Sequence, residues 1–232
     1  MKHLRNYLLA LMAFALLFTA CSKDDDNNIT PEDPNAIASS RLDFIEVNGH
    51  PHGDHFHDLA EIDGEKDSLS IKFDNQGVAK NGHTHLDPHK IYRMQLHVFN
   101  NEGREIQNDF LASKAVADLY KAFIVGGNFT LNPATGEAEN GALFQPREQT
   151  YGDGTTVNGK YEMTGIVAYF TLGEANEGAD TDVSYVLRKF SDATTKAKVE
   201  RTDWNHDDYA SRFAGEDVLK LTFEIHAEGH DH

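Results

Sequence analysis

Histidine is the residue type with the clearest chemistry in this sequence, which has 13 histidines among its 232 residues. Neutral imidazole binds zinc through nitrogen at about 2.0–2.1 Å, and a tetrahedral zinc site takes three or four such ligands. Seven of the histidines fall within one stretch of 40 residues: His50, His52, His55, His57, His83, His85 and His89. This clustering predicts a metal site; the alternative is a set of solvated polar segments whose histidines respond only to pH.

A short motif occurs twice within this stretch. Asn-Gly-His-x-His-x-Asp spans residues 48–54 and again residues 81–87, 33 positions later. In extended chain, residues two apart point to the same side, so each His-x-His pair can hold one ion. The aspartates that end the two copies, Asp54 and Asp87, can bind the ion or accept the second N–H of a ligating imidazole. We therefore expect two similar loops that present histidines to a metal.

Histidines outside the two copies leave alternatives open. His97 lies on the polar face of the strand expected after the second copy, where it either completes that site or is a plain surface side chain. At the C-terminus, His226, His230 and His232 form either a metal-capturing tail or a frayed end. The predicted metal ligands are His50, His52, His55, His57, His83, His85, His89 and His97.

Residues 52–57, His-Gly-Asp-His-Phe-His, resemble the His-x-x-His-x-His motif of the streptococcal histidine-triad proteins. Those are zinc-binding surface lipoproteins implicated in zinc acquisition. The resemblance implies that His52, His55 and His57 are the imidazole ligands of Zn²⁺. It covers six residues and the lipoprotein context, and this sequence lacks the multiple spaced copies of that family. It therefore implies neither a fold nor a fourth ligand.

The N-terminus resembles a bacterial lipoprotein signal peptide. Lys2 and Arg5 precede an apolar stretch at residues 7–18, which is shorter than the roughly 20 residues that a membrane-spanning helix needs. Residues 17–21, Leu-Phe-Thr-Ala-Cys, resemble a lipobox, which implies that Cys21 carries the lipid, including palmitate, and anchors the protein in a membrane. The acidic residues 24–26 resemble the surface-export signal of Bacteroidota lipoproteins, which implies an outer-membrane, cell-surface location.

Composition defines the remaining domain organisation and excludes some partners. Residues 1–20 are the predicted signal peptide, residues 21–40 a flexible tether, and residues 41–232 one metal-binding domain. The chain has 21 basic and 38 acidic residues, for a net charge of −17, so it should repel nucleic acid and attract cations. A single cysteine excludes a disulfide framework.

Strand patterns dominate the predicted domain. Apolar and polar residues alternate, or β-branched and aromatic residues cluster, at residues 42–47, 69–73, 91–99, 161–172, 183–190 and 218–225. Helical spacing occurs at residues 110–123 and 207–213. Short strands separated by turn residues favour a mainly β fold, an antiparallel β-sandwich or barrel-like domain with one or two short helices. A mixed α+β fold is the alternative.

These features together predict a cell-envelope lipoprotein that binds Zn²⁺ for capture or for delivery to an outer-membrane importer. No catalytic motif is found, so we expect no enzyme, with a zinc-dependent hydrolase as the alternative. Three alternatives remain: haem held by two axial imidazoles, Cu²⁺ or Ni²⁺ bound by the same histidines, and an adhesin in which the histidines are incidental. The chain has only four methionines, which argues against a Cu(I) thioether site.

Overall fold

The computed structural model of the chain describes residues 33–135, 139–159 and 162–228. The predicted signal peptide, Cys21, most of the predicted tether, His230 and His232 lie outside these residues. The described residues belong to one unit that starts at Asp33. Its first strand begins at Ile37, within the segment predicted as a tether.

Within the described residues, ten strands form one curved sheet. They are β1 Ile37–His52, β2 His55–Glu61, β3 Ser68–Phe73, β4 Val78–Leu86, β5 Ile91–Asn100, β6 Tyr120–Gly126, β7 Leu143–Pro146, β8 Val167–Thr171, β9 Asp180–Phe190 and β10 Gly215–Ala227. The strand order is β6-β9-β10-β4-β3-β1-β5-β8-β7, and β2 pairs with the end of β1. All strand pairs described are antiparallel except β4 with β10, which confirms the predicted mainly β, antiparallel class.

The sheet curls so that strands distant in its order face each other across the core. Phe44 in β1 and Phe223 in β10 have ring centroids 6.3 Å apart, although β3 and β4 separate their strands in the sheet. Phe223 also contacts Phe73 of β3, with ring centroids at 6.0 Å. Edge-on aromatic contacts of this kind add stabilisation beyond the area they bury. Phe223 therefore packs β10 against β1 and β3 across the core.

In the last strand, β10, apolar and polar residues alternate in the sequence, and this alternation matches the buried and outward faces of the strand. Leu219, Leu221, Phe223 and Ile225 are buried, whereas Lys220 between them is exposed. Successive side chains of a strand point to opposite faces, so burying the apolar set turns Glu224 and His226 outward. This face of β10 becomes part of the site described below.

The helix predicted at residues 110–123 is wrong. The structure has a 3₁₀ turn at Gln107–Leu111 and a single helical turn at Lys114–Ala117, after which the chain enters strand β6 at Tyr120. Strand β6 pairs with β9 and is buried on both faces, so its apolar run lacks the alternation that marks a half-exposed strand. Burial in the tertiary structure outweighs the local helical spacing.

The other helical segments are equally short: Glu174–Asn176, Ala193–Lys196, Arg201–Asn205 and Tyr209–Arg212. The last of these falls within the predicted helix at residues 207–213. In the described part of the chain, none of the helices has the length and apolar character to cross a membrane.

We expect Phe223→Ala to lower the free energy of unfolding by about 3–5 kcal/mol, because it leaves a cavity between the facing strands. Lys220→Ala, on the exposed face of the same strand, should change it by less than about 0.5 kcal/mol. Urea denaturation of both variants measures the difference. Equal effects would contradict the position of Phe223 between β1, β3 and β10.

Candidate metal centre

The first copy of the motif forms the tip of the β1–β2 hairpin. His50 pairs with His57 and His52 pairs with His55 across the two strands. The register shifts at Gly49, whose φ of 155° favours glycine and where an added Cβ would lie 2.9 Å from the Leu59 side chain and 3.1 Å from the His57 carbonyl oxygen. Gly53 adopts the left-handed conformation, with φ of 56°, at the turn itself. The two glycines thus shape the hairpin that carries the histidines.

Phe56 anchors the hairpin to the domain. Its side chain is 1% exposed and belongs to a small core cluster with Val47, Ile91 and Leu143. Its backbone N–H also donates a hydrogen bond to Gln145 Oε1 at 2.9 Å. Because strand side chains alternate, the inward direction of Phe56 turns the neighbouring histidines outward.

Four imidazoles therefore lie together on the outer face of the hairpin, and we call His50, His52, His55 and His57 the hairpin group. The ring of His57 lies centrally, with its centroid 5.5 Å from His50, 5.4 Å from His52 and 4.6 Å from His55. The structure thus brings together the three histidines of the triad motif and adds His50 to them.

Carboxylates face the Nδ1 atoms of three hairpin rings. The distances are 3.6 Å for His50–Asp58, 3.3 Å for His52–Glu139 and 3.0 Å for His55–Asp54. A carboxylate beside Nδ1 favours the tautomer that carries its proton there, which leaves Nε2 free as a ligand. Asp54 is itself held by Arg201 Nη1 at 3.2 Å. Asp54 thus occupies the supporting position expected from the sequence.

The second copy of the motif does not form a loop, and the expectation of two similar turns is wrong. Residues 81–86 belong to strand β4, in which Thr84 and Leu86 are buried. These inward side chains turn His83 and His85 to the outer face of the sheet. The copies share a sequence but differ in backbone conformation: the first turns at Gly53, with φ of 56°, whereas Leu86 at the matching position continues strand β4.

That neighbour is β10, which supplies the rest of a second cluster. Parallel pairing sets His83 opposite Glu224 and His85 opposite His226. Glu228 follows β10, and its Oε2 lies 3.1 Å from His85 Nδ1. We call His83, His85, Glu224, His226 and Glu228 the junction group.

The junction group contains sets of atoms that could hold a metal ion. The candidate ligand atoms of His83, Glu224 and His226 all lie within 4.8 Å of one another, and so do those of His85, His226 and Glu228. His226 belongs to both sets. Its ring centroid is 4.3 Å from that of His83 and 5.3 Å from that of His85.

The Nε2 atom of His226 is buried without a hydrogen-bond partner. It lies 3.3 Å from Asp180 Oδ1 and 3.3 Å from Glu224 Oε1, but neither contact has hydrogen-bond geometry. A buried polar atom without a partner costs free energy, and a cation bound at Nε2 between the carboxylates would remove that cost. This nitrogen is the strongest single indication of a metal position.

The remaining predicted ligands lie elsewhere. His89 follows β4, with Nδ1 3.3 Å from Glu174 Oε1 at an open cleft of about 520 Å³. The side chain of His97, 13% exposed, lies between Asp43 and Glu105 at 3.2 and 3.5 Å. Neither histidine belongs to the hairpin group or the junction group.

The aspartate of the second copy, Asp87, also stands apart from both groups. It accepts a hydrogen bond from the backbone N–H of His89 at 2.9 Å and lies 4.0 Å from Lys90 Nζ. Asp87 therefore holds the turn after β4 and does not contact an imidazole of either group.

Sequence reasoning did not assign Glu224 and Glu228 to a site, and it treated His226 only as part of a tail. The alternation in β10 did indicate that Glu224 and His226 point outward. No local signal indicates that β10 lies beside β4, because their pairing joins segments about 140 residues apart. Comparisons of the chain with protein families, curated proteins and solved structures found no match. The case for a metal site therefore rests on these side chains.

The pKa of His57 is lowered by desolvation and by the neighbouring imidazoles, His55 first among them. The unfolded chain, with a histidine pKa of about 6.5, then binds the proton more readily than the folded protein. The stability contributed by this group is present above about pH 6.5 and is lost as pH falls through the lowered pKa. We expect His57→Gln to lose less stability on acidification, as measured by urea midpoints in chelator. An unchanged pH dependence would contradict the crowding of the four rings.

A divalent ion bound at the junction group should stabilise the fold, because the site exists only when β4 and β10 are paired. At a free concentration 100 times its dissociation constant, one ion adds about 2.7 kcal/mol to the free energy of unfolding. We expect this gain in stability to be smaller in the double variant His83→Ala with His226→Ala. The gain is measured as the difference in melting temperature between samples with the ion and samples with chelator. His206 lies outside both groups with its side chain 44% exposed, and His206→Ala is the matched control.

Proposed function

We propose that this protein is a cell-envelope lipoprotein that binds Zn²⁺ and serves its capture or its delivery to an importer. The observation that carries the proposal is the junction group, in which three imidazoles and two carboxylates from distant segments form two candidate ligand sets that share His226, whose Nε2 is buried without a hydrogen-bond partner. The proposal joins this group to the lipoprotein features of the N-terminal sequence.

The donor set supports zinc among the common divalent ions. Zinc accepts imidazole nitrogen and carboxylate oxygen together, and its sites use three or four such ligands. Calcium and magnesium prefer oxygen donors throughout, which a group with three imidazoles does not provide. The three histidines with Glu224 and Glu228 therefore match zinc better than they match either of the other two.

Accessibility and charge support capture rather than a purely structural role. The side chains of His85 and Glu228 are 42% and 60% exposed, so an ion can reach them from solvent. The net charge of −17 raises the local concentration of cations around the protein. A lipid on Cys21 would hold such a site at the membrane surface, where an importer could receive the ion.

The cleft beside His89 does not resemble a haem pocket. Its lining includes Glu46, Glu139 and Glu174, whereas pockets for large organic cofactors are lined mainly by apolar and aromatic side chains. Haem would also need two axial imidazoles on opposite faces of the porphyrin. The histidines of both groups project from one face of their strands.

Elemental analysis by mass spectrometry tests the proposal on the untagged mature chain after equilibration with Zn²⁺. We expect near-stoichiometric zinc, with one equivalent lost in the double variant His83→Ala with His226→Ala. Glu224→Gln with Glu228→Gln should weaken binding while leaving the imidazoles in place. His206→Ala should retain all the zinc.

Two results would overturn the proposal. If the His83 and His226 double variant retains all of the zinc, the junction group is not the zinc site. If the chain takes up no zinc but shows a Soret band with haem, the histidines bind haem instead. Circular dichroism of each variant establishes that the comparison is made between folded proteins.

A further inference from the structure

The hairpin group differs from the junction group in the way its ligands are arranged. His50 lies opposite His57 and His52 opposite His55, so the four imidazoles form two cross-strand pairs on one face of the hairpin. Side chains directly opposite each other in an antiparallel pair have Cβ atoms about 4.5–5.5 Å apart. The four Cβ atoms thus mark the corners of a small quadrilateral, and all four rings rise from the same side.

We propose that the hairpin group is a second, separate metal site that takes a divalent ion of tetragonal preference, Cu²⁺ first and Ni²⁺ after it. Four nitrogen donors that approach from one side can lie around the equator of such an ion, with a position above it left to water. Square-planar and tetragonal nitrogen sites are typical of these two metals, and copper binds nitrogen ligands most tightly among the divalent first-row ions. The proposal does not depend on zinc at the junction group.

The surroundings of the hairpin group support a site whose protein ligands are all imidazole nitrogen atoms. The carboxylates of Asp54, Asp58 and Glu139 face the Nδ1 atoms, so they support the rings and leave Nε2 to the ion. In the junction group, by contrast, Glu224 and Glu228 belong to the candidate ligand sets themselves. The two groups therefore present different donor sets to the same solution.

The hairpin is also held in place before any ion binds. Phe56 anchors it from beneath through the core cluster, and Arg201 holds Asp54 at the turn. The ring centroids lie 4.6–5.8 Å apart, but no three ligand atoms of the hairpin group lie within 4.8 Å of one another, so the rings must rotate about their side-chain bonds to share an ion. The anchored backbone of the hairpin reduces the entropy that binding must overcome.

Copper titration of the zinc-equilibrated mature chain tests the assignment. One equivalent of Zn²⁺ is added first, and Cu²⁺ binding is then followed by electron paramagnetic resonance and by visible absorption. We expect one Cu²⁺ with a multi-nitrogen, tetragonal spectrum. The double variant His50→Ala with His57→Ala should bind it more than about 100-fold more weakly, because losing even a supporting partner of a ligand costs 10–100-fold. A parallel titration with Ni²⁺ should show the same dependence.

The controls separate this proposal from the zinc site and from loose surface binding. The double variant His83→Ala with His226→Ala should lose zinc and keep the copper spectrum, and His206→Ala should keep both. Copper lost in the junction variant but kept in the hairpin variant would overturn the assignment, as would a spectrum with oxygen ligands only. Copper retained equally by every variant would indicate an adventitious ion only and would also overturn it.

Discussion

The parallel pairing of β4 with β10 is the contact on which both the curl of the sheet and the junction group depend. It is the one parallel pair among the described strands, and a parallel pair requires a long connection because its two strands run the same way. The chain between them builds β5 to β9 and most of the second half of the core. The inward side chains Leu86, Phe223 and Ile225, all buried, hold the pair together. The same register sets the outward histidines and glutamates side by side.

The two histidine groups depend on the fold to different degrees. The hairpin group comes from eight consecutive residues, so it forms wherever that hairpin forms. The junction group needs residues from both ends of the domain and disappears when β4 and β10 separate. A metal at the junction group is thus coupled to folding of the whole domain, whereas a metal at the hairpin group is coupled mainly to local order.

Acidic residues have a more specific role than net charge suggests. In a chain with 38 acidic residues, carboxylates near histidines carry little information in the sequence. Among the described residues, carboxylates lie within 3.0–3.6 Å of the Nδ1 atoms of six histidines: His50, His52, His55, His85, His89 and His97. Partners such as Glu139 and Glu174 are more than 80 residues from their histidines in the chain, so only the folded chain shows which carboxylates support a ring.

The sequence alone determined what depends on neighbours along the chain. Alternation predicted β10 and its outward face, and the two-residue spacing of His50 and His52 predicted that these side chains lie on one side, because period two is a property of extended backbone. The tertiary structure decided what depends on distant partners. It made residues 120–126 a strand, drew the second motif copy into β4, and brought Glu224 and His226 to His83 and His85. Strand pairing is stabilised by burial over the whole core, and no local pattern specifies which distant strand will be the neighbour.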